Sequence, residues 1–428
     1  MRDQLNRNSS NSSIPPSKNP LNAKLPPKAP ASGKKRGGQP GHPKRMRAIL
    51  EPTRIIDVHP VACSCCGDLL LGVDPNPLVH QQVEIPPVKP LVTEYRQHRM
   101  TCGGCGQIST GELPAEAKHS YGPRLQAITA TLVGRFRLGK RPTRELLKDM
   151  FGVPISAAQI CKLEKQTAEA LKEPMAEALE YVRTQPVNVD ETSWRQSMKR
   201  AWMWVATMPF MTVILIQNSR SRKSFRELMG ENPKNVITSD RYSAYSHLPA
   251  ALRQLCWSHL QRDFQAMIDR KNDGQRIGER LVQAGSEMLK EWKRVRDGTL
   301  TREKFRTDIL PPLQAAVEKA LDDGRECGCA KTVGVCAELH RWKESLWTFA
   351  KVEGVEPTNN LAERQLRHGV CYRKTSYGTF SDDGSRFVER IMTVEATCKQ
   401  QGRSVLEFLI RAIQAHRQGK PAPSLLPI

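Results

Sequence analysis

The chain has 428 residues, 39% of them hydrophobic, with 66 Lys and Arg against 44 Asp and Glu. That length suits two to four domains with a buried core, and the formal charge of +22 points to a polyanionic partner, nucleic acid or an anionic membrane surface. The opening MRDQLNRNSSNSS has no apolar stretch for secretion, so the 12 cysteines are expected in a reducing compartment, in metal sites or plainly buried and not in a disulfide framework.

Residues 1–50 hold 11 Lys and Arg against one acid, Asp3. Rich in Pro, Ser, Asn and Gly, they cannot bury enough surface to offset their ordering entropy. They read as a disordered basic arm that grips phosphates, with Lys34, Lys35 and Arg36 as DNA-contact candidates, or as a solvated linker.

Residues 51–113 are short strand-like runs around two Cys-x2-Cys pairs, Cys63/Cys66 and Cys102/Cys105. Each pair is followed by a glycine, Gly67 or Gly106. Two thiolates on a tight turn hold one edge of a metal, and a second such turn completes a tetrahedron. The expectation is one structural zinc ion, with Cys65 a bystander. Cys327, Cys329, Cys336 and His340 form a second, irregular grouping that reads more simply as one helical face of a core.

Residues 122–184 take helical spacing. Thr143–Met150, a turn, and a second helix over Ser156–Leu171 capped by Ser156 read as a helix-turn-helix-like DNA-binding region or an ordinary helical hairpin. Residues 185–265 switch to strands. Pro186–Asp190 is expected to be a strand ending in an acid, and Ala201–Ser219, free of charge, a hairpin turning near Met208–Phe210. The latter is too interrupted by Pro209 for a membrane span. A helix at Ser224–Met229 and strands at Asn235–Ser239 and Leu252–Trp257 complete a mixed α/β sheet. Residues 259–350 read as helical with a break at Pro311-Pro312. Residues 357–415 are helical with a Gly-rich interruption at Gly378–Gly384, and PAPSLLPI reads as a tail.

Asp190 and Asp240 each follow a predicted strand. With the first and fourth strands adjacent, both emerge at one end of the sheet, where two carboxylates can share divalent ions. Singly, each has a plainer reading as a cap or turn acid. Glu363 lies one turn into a helix begun by Thr358 or Asn359, with Arg367 a further turn along the same face. The plain alternative there is a solvent-facing salt bridge.

The string Glu356-Pro-Thr-Asn-Asn-x-Ala-Glu-Arg-x-Leu-Arg367, with Asn188-Val-Asp190-Glu-Thr-Ser-Trp194 and Ser239-Asp240-x-Tyr-x-x-Tyr245, resembles the insertion sequence 66 family of bacterial transposases. So do Gly-Gly-Gln-Pro-Gly-His at 37–42, the two cysteine pairs, Cys256-Trp-x-His259-x-x-Arg262-x-Phe264 and the Thr397–Gly402 region. The family's usual coiled-coil start has no heptad run here, as in a truncated or alternatively started form, which puts zipper dimerisation in question.

The resemblance implies a multi-domain α/β protein. A ribonuclease H-like DDE core over 185–370, with a helical insertion at about 265–350, follows the zinc-binding module and the helical region; 371–428 is a C-terminal helical segment. Asp190, Asp240 and Glu363 are then the catalytic acids and hold two magnesium ions, whose hard character suits carboxylate oxygens. Such ions, about 3.5–4 Å apart, serve an in-line phosphodiester displacement. Arg364, Arg367, Arg373 and Lys374 become phosphate contacts or solvated charges, and His259 and Arg262 supports of the site. The implied partners are transposon ends and target DNA, with a homo-oligomer on DNA and accessory transposition proteins, in the bacterial cytoplasm at the nucleoid. A catalytically inactive DNA-binding module, or a nuclease of the same fold, is the alternative.

Overall fold

The computed structural model describes residues 47–427, with Asn8, Ser12 and Ser13. Lys34, Lys35, Arg36 and the Gly-Gly-Gln-Pro-Gly-His stretch of the basic arm lie outside the described residues. Within residues 47–427, backbone contacts divide the chain at Lys89–Pro90 into two units. The first is irregular around one bridge, Ala62 to Leu69, and exposes Ile55, Val58 and Leu71.

The second unit opens with an antiparallel hairpin, β1 (Arg99–Thr101) and β2 (Ile108–Thr110). Four helices follow, α1 (Pro123–Ala130), α2 (Lys140–Phe151), α3 (Ala157–Ala170) and α4 (Lys172–Arg183). The Ser156 hydroxyl accepts the Gln159 N–H at 3.1 Å and starts α3 as expected. Gly152 ends α2 at φ 64°, a left-handed conformation that costs glycine little. α2 and α3 fall where the sequence placed a helix, a turn and a helix, an arrangement that a helix-turn-helix and an ordinary helical hairpin share.

Five strands form a mixed sheet in the order β5-β4-β3-β6-β7. They are β3 (Val187–Gln196), β4 (Lys199–Met208), β5 (Met211–Gln217), β6 (Ile237–Ser239) and β7 (Arg253–Leu255), with α5 (Arg222–Met229) between β5 and β6. β3, β4 and β5 run antiparallel; β6 joins β3, and β7 joins β6, in parallel. The charge-free stretch is the β4–β5 pair. β3 does not end at Asp190: β4 partners each residue from Asn188 to Gln196, so the strand continues. Its two-residue turn uses Ser197 and Met198 at φ 48° and 64°. Asn-Gly is the usual signal for such a turn, so this one is hard to read from sequence.

Helices α6 (Trp257–Asp269), α7 (Gln275–Arg296), α8 (Leu310–Arg325) and α9 (Ala330–Arg341) pack around a second core that includes Trp257, Phe264, Trp292, Phe305 and Phe349. Pro311-Pro312 do not break the helix. They occupy the first turn of α8, where a missing N–H is free of cost, and a π turn at Phe305–Ile309 leads into it. The chain closes with α10 (Asn360–Ser376), α11 (Asp382–Gln400) and α12 (Val405–Arg417). The expected tail is packed down: Leu425 is buried and Ser424 donates to Glu177 at 2.7 Å.

Both sheet edges are covered by side chains. On β5, the N–H groups of Thr212, Ile214 and Ile216 donate to Thr397, Thr393 and Glu389 of α11 at 3.2, 3.0 and 2.9 Å. The pitches match, since alternate strand residues are about 6.6 Å apart and helix residues four apart about 6 Å. On β7, Thr348 donates to the Arg253 carbonyl at 2.7 Å, and the Phe349 N–H donates to the Gln254 side chain at 2.7 Å.

Thr393→Val leaves the Ile214 N–H buried without an acceptor and should cost about 1–3 kcal/mol, read as a lower thermal midpoint. Burial pushes the Glu389 carboxyl up to about 7. An acid with a raised folded pKa loses stability as pH rises from its unfolded value through its folded one. Glu389→Gln should therefore flatten the decline in stability between about pH 4.5 and 7, measured by denaturant unfolding at each pH.

Candidate active site

The sheet itself brings two acids together. β3 and β6 are neighbours, and their last registered pair is Asn188 with Thr238. Carried two residues on, that register sets Asp190 beside Asp240. Asp190 lies within β3 and not at its end; it reaches the active edge because β6 stops at Ser239 while β3 runs on. The chain after β6 turns on Asp240 itself, whose Oδ1 accepts the Tyr242 N–H at 2.9 Å. This is a turn contact and not a helix cap: the short helix that follows, Ser243–Tyr245, has Tyr242 at its N-cap. Arg253, almost fully buried, donates to the Asp240 carbonyl at 3.0 Å and stacks on Trp342.

Glu363 arrives on the first turn of α10. The segment before it is stitched to the sheet. Asn359, wholly buried, donates from its side chain to the Val189 carbonyl at 2.9 Å and from its N–H to Cys256 Sγ at 3.1 Å. Asn188 donates to the Thr358 carbonyl at 3.1 Å, and the Trp257 N–H to the Pro357 carbonyl at 2.9 Å. Pro357–Asn360 is therefore fastened on both sides. This is a physical reason for Asn359 ahead of Glu363, a role that helical spacing alone does not reveal.

The electrostatics follow from this placement. Burial, first, and then the charges of Glu191, Asp240 and Glu363 push the Asp190 carboxyl well above the ordinary carboxylate range. Asp190 therefore feels the charges of both of the other predicted acids. His259 Nδ1 and an Arg262 nitrogen stand 3.7 and 3.6 Å from a Glu363 carboxylate oxygen. Burial and Arg262 hold the His259 pKa down, which favours a neutral imidazole. Hard carboxylate oxygens gathered in a partly buried place suit a divalent cation such as magnesium. Among the described residues, no three His, Cys, Asp or Glu are drawn close enough to clasp an ion as they stand.

Glu191, on the opposite face of β3 by strand alternation, is a residue that the spacing of acids did not single out. Its buried carboxylate pairs with Arg220 at 2.6 Å and accepts a hydrogen bond from Tyr245. Arg220 in turn lies 3.7 Å over the Tyr242 ring. The loop that carries Asp240 is thereby tied to β3. The only hint in the sequence was that Glu191, Tyr242 and Tyr245 lie inside the quoted motifs.

The basic candidates separate. Arg364, Arg367 and Lys374 are exposed on α10, and none of them forms an ion pair among the described residues. Arg373 instead donates to the Ser193 carbonyl and hydroxyl, so it is engaged in joining α10 to β3. Cys327, Cys329, Cys336 and His340 do not gather: Cys336 is core, Asn272 donates to Cys329 at 3.3 Å, and His340 faces Asp322 at 3.1 Å.

The two cysteine pairs fold alike, each within its own unit. Cys63 N–H donates to the Asp68 carbonyl at 2.8 Å and Gly67 N–H to the Cys63 carbonyl at 3.0 Å. Cys102 N–H donates to the Gln107 carbonyl at 2.8 Å and Gly106 N–H to the Cys102 carbonyl at 2.9 Å. Gly67 and Gly106 take φ 78° and 71°. Backbone N–H groups directed at the Cys63 and Cys102 sulfurs lower both thiol pKa values, favouring the thiolate that zinc binds. Cys65 contributes its N–H to Cys63 Sγ at 3.4 Å.

Among the described residues no helix is long and apolar enough to cross a membrane. A protein of Sinorhizobium fredii (strain NBRC 101917 / NGR234), named only as uncharacterized protein y4qI, is 24% identical over 428 residues, covering 91% of this chain and 76% of its own. Residues 60–106 match the zinc-finger binding domain of transposase IS66. Residues 118–386, which span the sheet, the insertion and all three acids, match the sequence model of the Transposase IS66 family. On that match, the chain belongs to the Transposase IS66 family.

Proposed function

We propose that this transposase cleaves the ends of its element and joins the freed 3′-hydroxyl to target DNA, with Asp190, Asp240 and Glu363 as the catalytic acids of a ribonuclease H-like DDE core. The observation that supports the reading is the register that sets Asp190 beside Asp240 where β6 ends, with the approach to Glu363 held by the Asn359 stitches and the Glu363 charge felt at Asp190. Asp190, Asp240 and Glu363 would hold magnesium. Bound there, it would supply Lewis-acid stabilisation of the attacking and leaving oxygens.

The chain's own groups do the rest. Asn359 and Asn188 keep Glu363 facing the sheet, and Arg253 and Glu191 keep the Asp240 loop in place. Arg262, beside Glu363, and the exposed Arg364 and Arg367 offer positive charge to the scissile and neighbouring phosphates. Water attacks the phosphodiester at the element's end and releases the 3′-hydroxyl. That hydroxyl then attacks a target phosphodiester. Zinc, held by Cys63, Cys66, Cys102 and Cys105, would order a module that exposes its apolar residues and has little core of its own.

Full-length protein, magnesium and DNA carrying the element's own ends should give 3′-end cleavage and a joined product. Asp240→Asn should lower both by at least about a thousand-fold while DNA affinity is retained. Cleavage without joining would favour a hydrolytic nuclease. Cutting by both proteins alike would refute the assignment of Asp240, and binding without cutting by either, with accessory proteins added, would favour a DNA-binding module. Elemental analysis should find one zinc per chain. Cys102→Ser should lose it and Cys65→Ser should keep it.

A further inference from the structure

β3 and β4 carry their hairpin beyond the sheet's active end. From Asp190 to Gln196 the strand advances about 20 Å. The tip, Arg195 to Arg200, is clasped to the loop between α10 and α11. Thr379 N–H donates to the Arg195 carbonyl at 3.0 Å, and Ser197 N–H to the Thr379 carbonyl at 2.8 Å. Trp194 Nε1 donates to Thr379 Oγ1 at 3.2 Å, and the Ser385 hydroxyl to Gln196 at 2.8 Å. Gly378 sits so close that an added Cβ would meet the Arg195 carbonyl oxygen at 2.2 Å. The two loops form one built unit.

That unit presents apolar side chains to solvent. Met198, Tyr377 and Phe380 are 74%, 75% and 79% exposed. Ser197 and Met198 hold φ of 48° and 64° in the hairpin turn, and Tyr377 φ of 59° where α10 ends. Cations surround the apolar group: Arg195, Lys199, Arg200 and Lys374 are exposed. The adjoining acids are already paired, Asp382 with Arg386 at 3.6 Å and Asp383 with Lys165 at 2.9 Å. The outer face of α10, carrying Arg364 and Arg367, runs from Glu363 to this tip. Exposed aromatic rings beside exposed cations that form no ion pair among the described residues suit a polyanion with flat apolar rings, a nucleic acid with bases free to stack.

We propose that the β3–β4 tip and the Tyr377–Ser381 loop form a second DNA contact, at which an unpaired base stacks on Tyr377 and Phe380 while Lys199, Arg200 and Lys374 hold the flanking phosphates. The proposal rests on the DNA-processing reading above and adds a preference for DNA that is open near the reacting end.

Full-length protein would be titrated, without divalent metal, into a fluorescein-labelled duplex and into the same duplex with one end frayed into unpaired arms. Fluorescence anisotropy should show tighter binding to the frayed DNA. Tyr377→Ala with Phe380→Ala should remove that preference, a loss of roughly ten-fold, and leave duplex affinity unchanged; the unchanged affinity also reports an intact fold. Phe380→Trp should keep the preference. Equal binding of both DNAs by the wild type, or a preference that survives the double alanine variant, overturns the proposal and leaves the catalytic reading standing. Failure to bind either DNA overturns both. A concentration-dependent dimer that the double variant dissolves assigns the patch to a second copy of the chain and also overturns it.

Discussion

Carboxylates crowded into a half-buried place repel one another, and burial itself disfavours their charge. Asp190 carries that cost most plainly, pushed up by burial and by three acidic neighbours. Such a cluster persists only where covalent and hydrogen-bonded structure holds it. Here the parallel register of β3 and β6 fixes two of the acids, and two asparagines and a cysteine sulfur fix the approach to the third. Glu191, Arg220, Tyr245 and Arg253 form the support beneath. Much of the polar burial in this half of the molecule thus serves the like charges at the surface of the sheet.

The helical insertion is tied into that support. Arg241, next to Asp240, pairs with Asp263 of α6 at 2.9 Å and with Glu338 of α9 at 2.5 Å. Arg253, beneath the Asp240 carbonyl, lies against Trp342 just past α9. Trp257, which opens α6, donates from its ring to the Leu346 carbonyl at 2.8 Å. The insertion has its own aromatic core, so it can keep its shape while gripping the loop of the second acid from the side opposite β3.

Much of the sheet was legible in the residues. The charge-free, β-branched stretch gave the β4–β5 hairpin, the strand before Asp240 emerged as β6, and Ser156 capped its helix. What could not be read has physical causes. β3 outran Asp190 because its partner strand, and not its own composition, sets its length. The Ser197-Met198 turn carries none of the usual turn residues. Pro311-Pro312 read as a break because proline stops a helix interior, whereas at a first turn it is harmless. Of the site, the acid just after β6 was visible as a pattern, whereas Asp190, read as a strand end, lies inside β3. Arg373, one of four basic candidates on one helix, proved bound to Ser193, since sequence spacing cannot say which cations are already engaged. Glu191 and Asn359 were hidden because their roles depend on partners far away in the chain.

The helix α11 laid along β5 answers each outward N–H of that strand with a side chain spaced one helical turn from the next, and Thr348 and Gln254 close the far side of the sheet. A strand from another molecule therefore finds no free ladder to extend along β5. Several copies gathered on one DNA would have to meet through helices, loops or the nucleic acid itself, contacts that can be remade as a reaction proceeds. A shared sheet would lock them together, and a long exposed edge would invite aggregation at the high local concentrations that a polyanion creates around a chain of this charge.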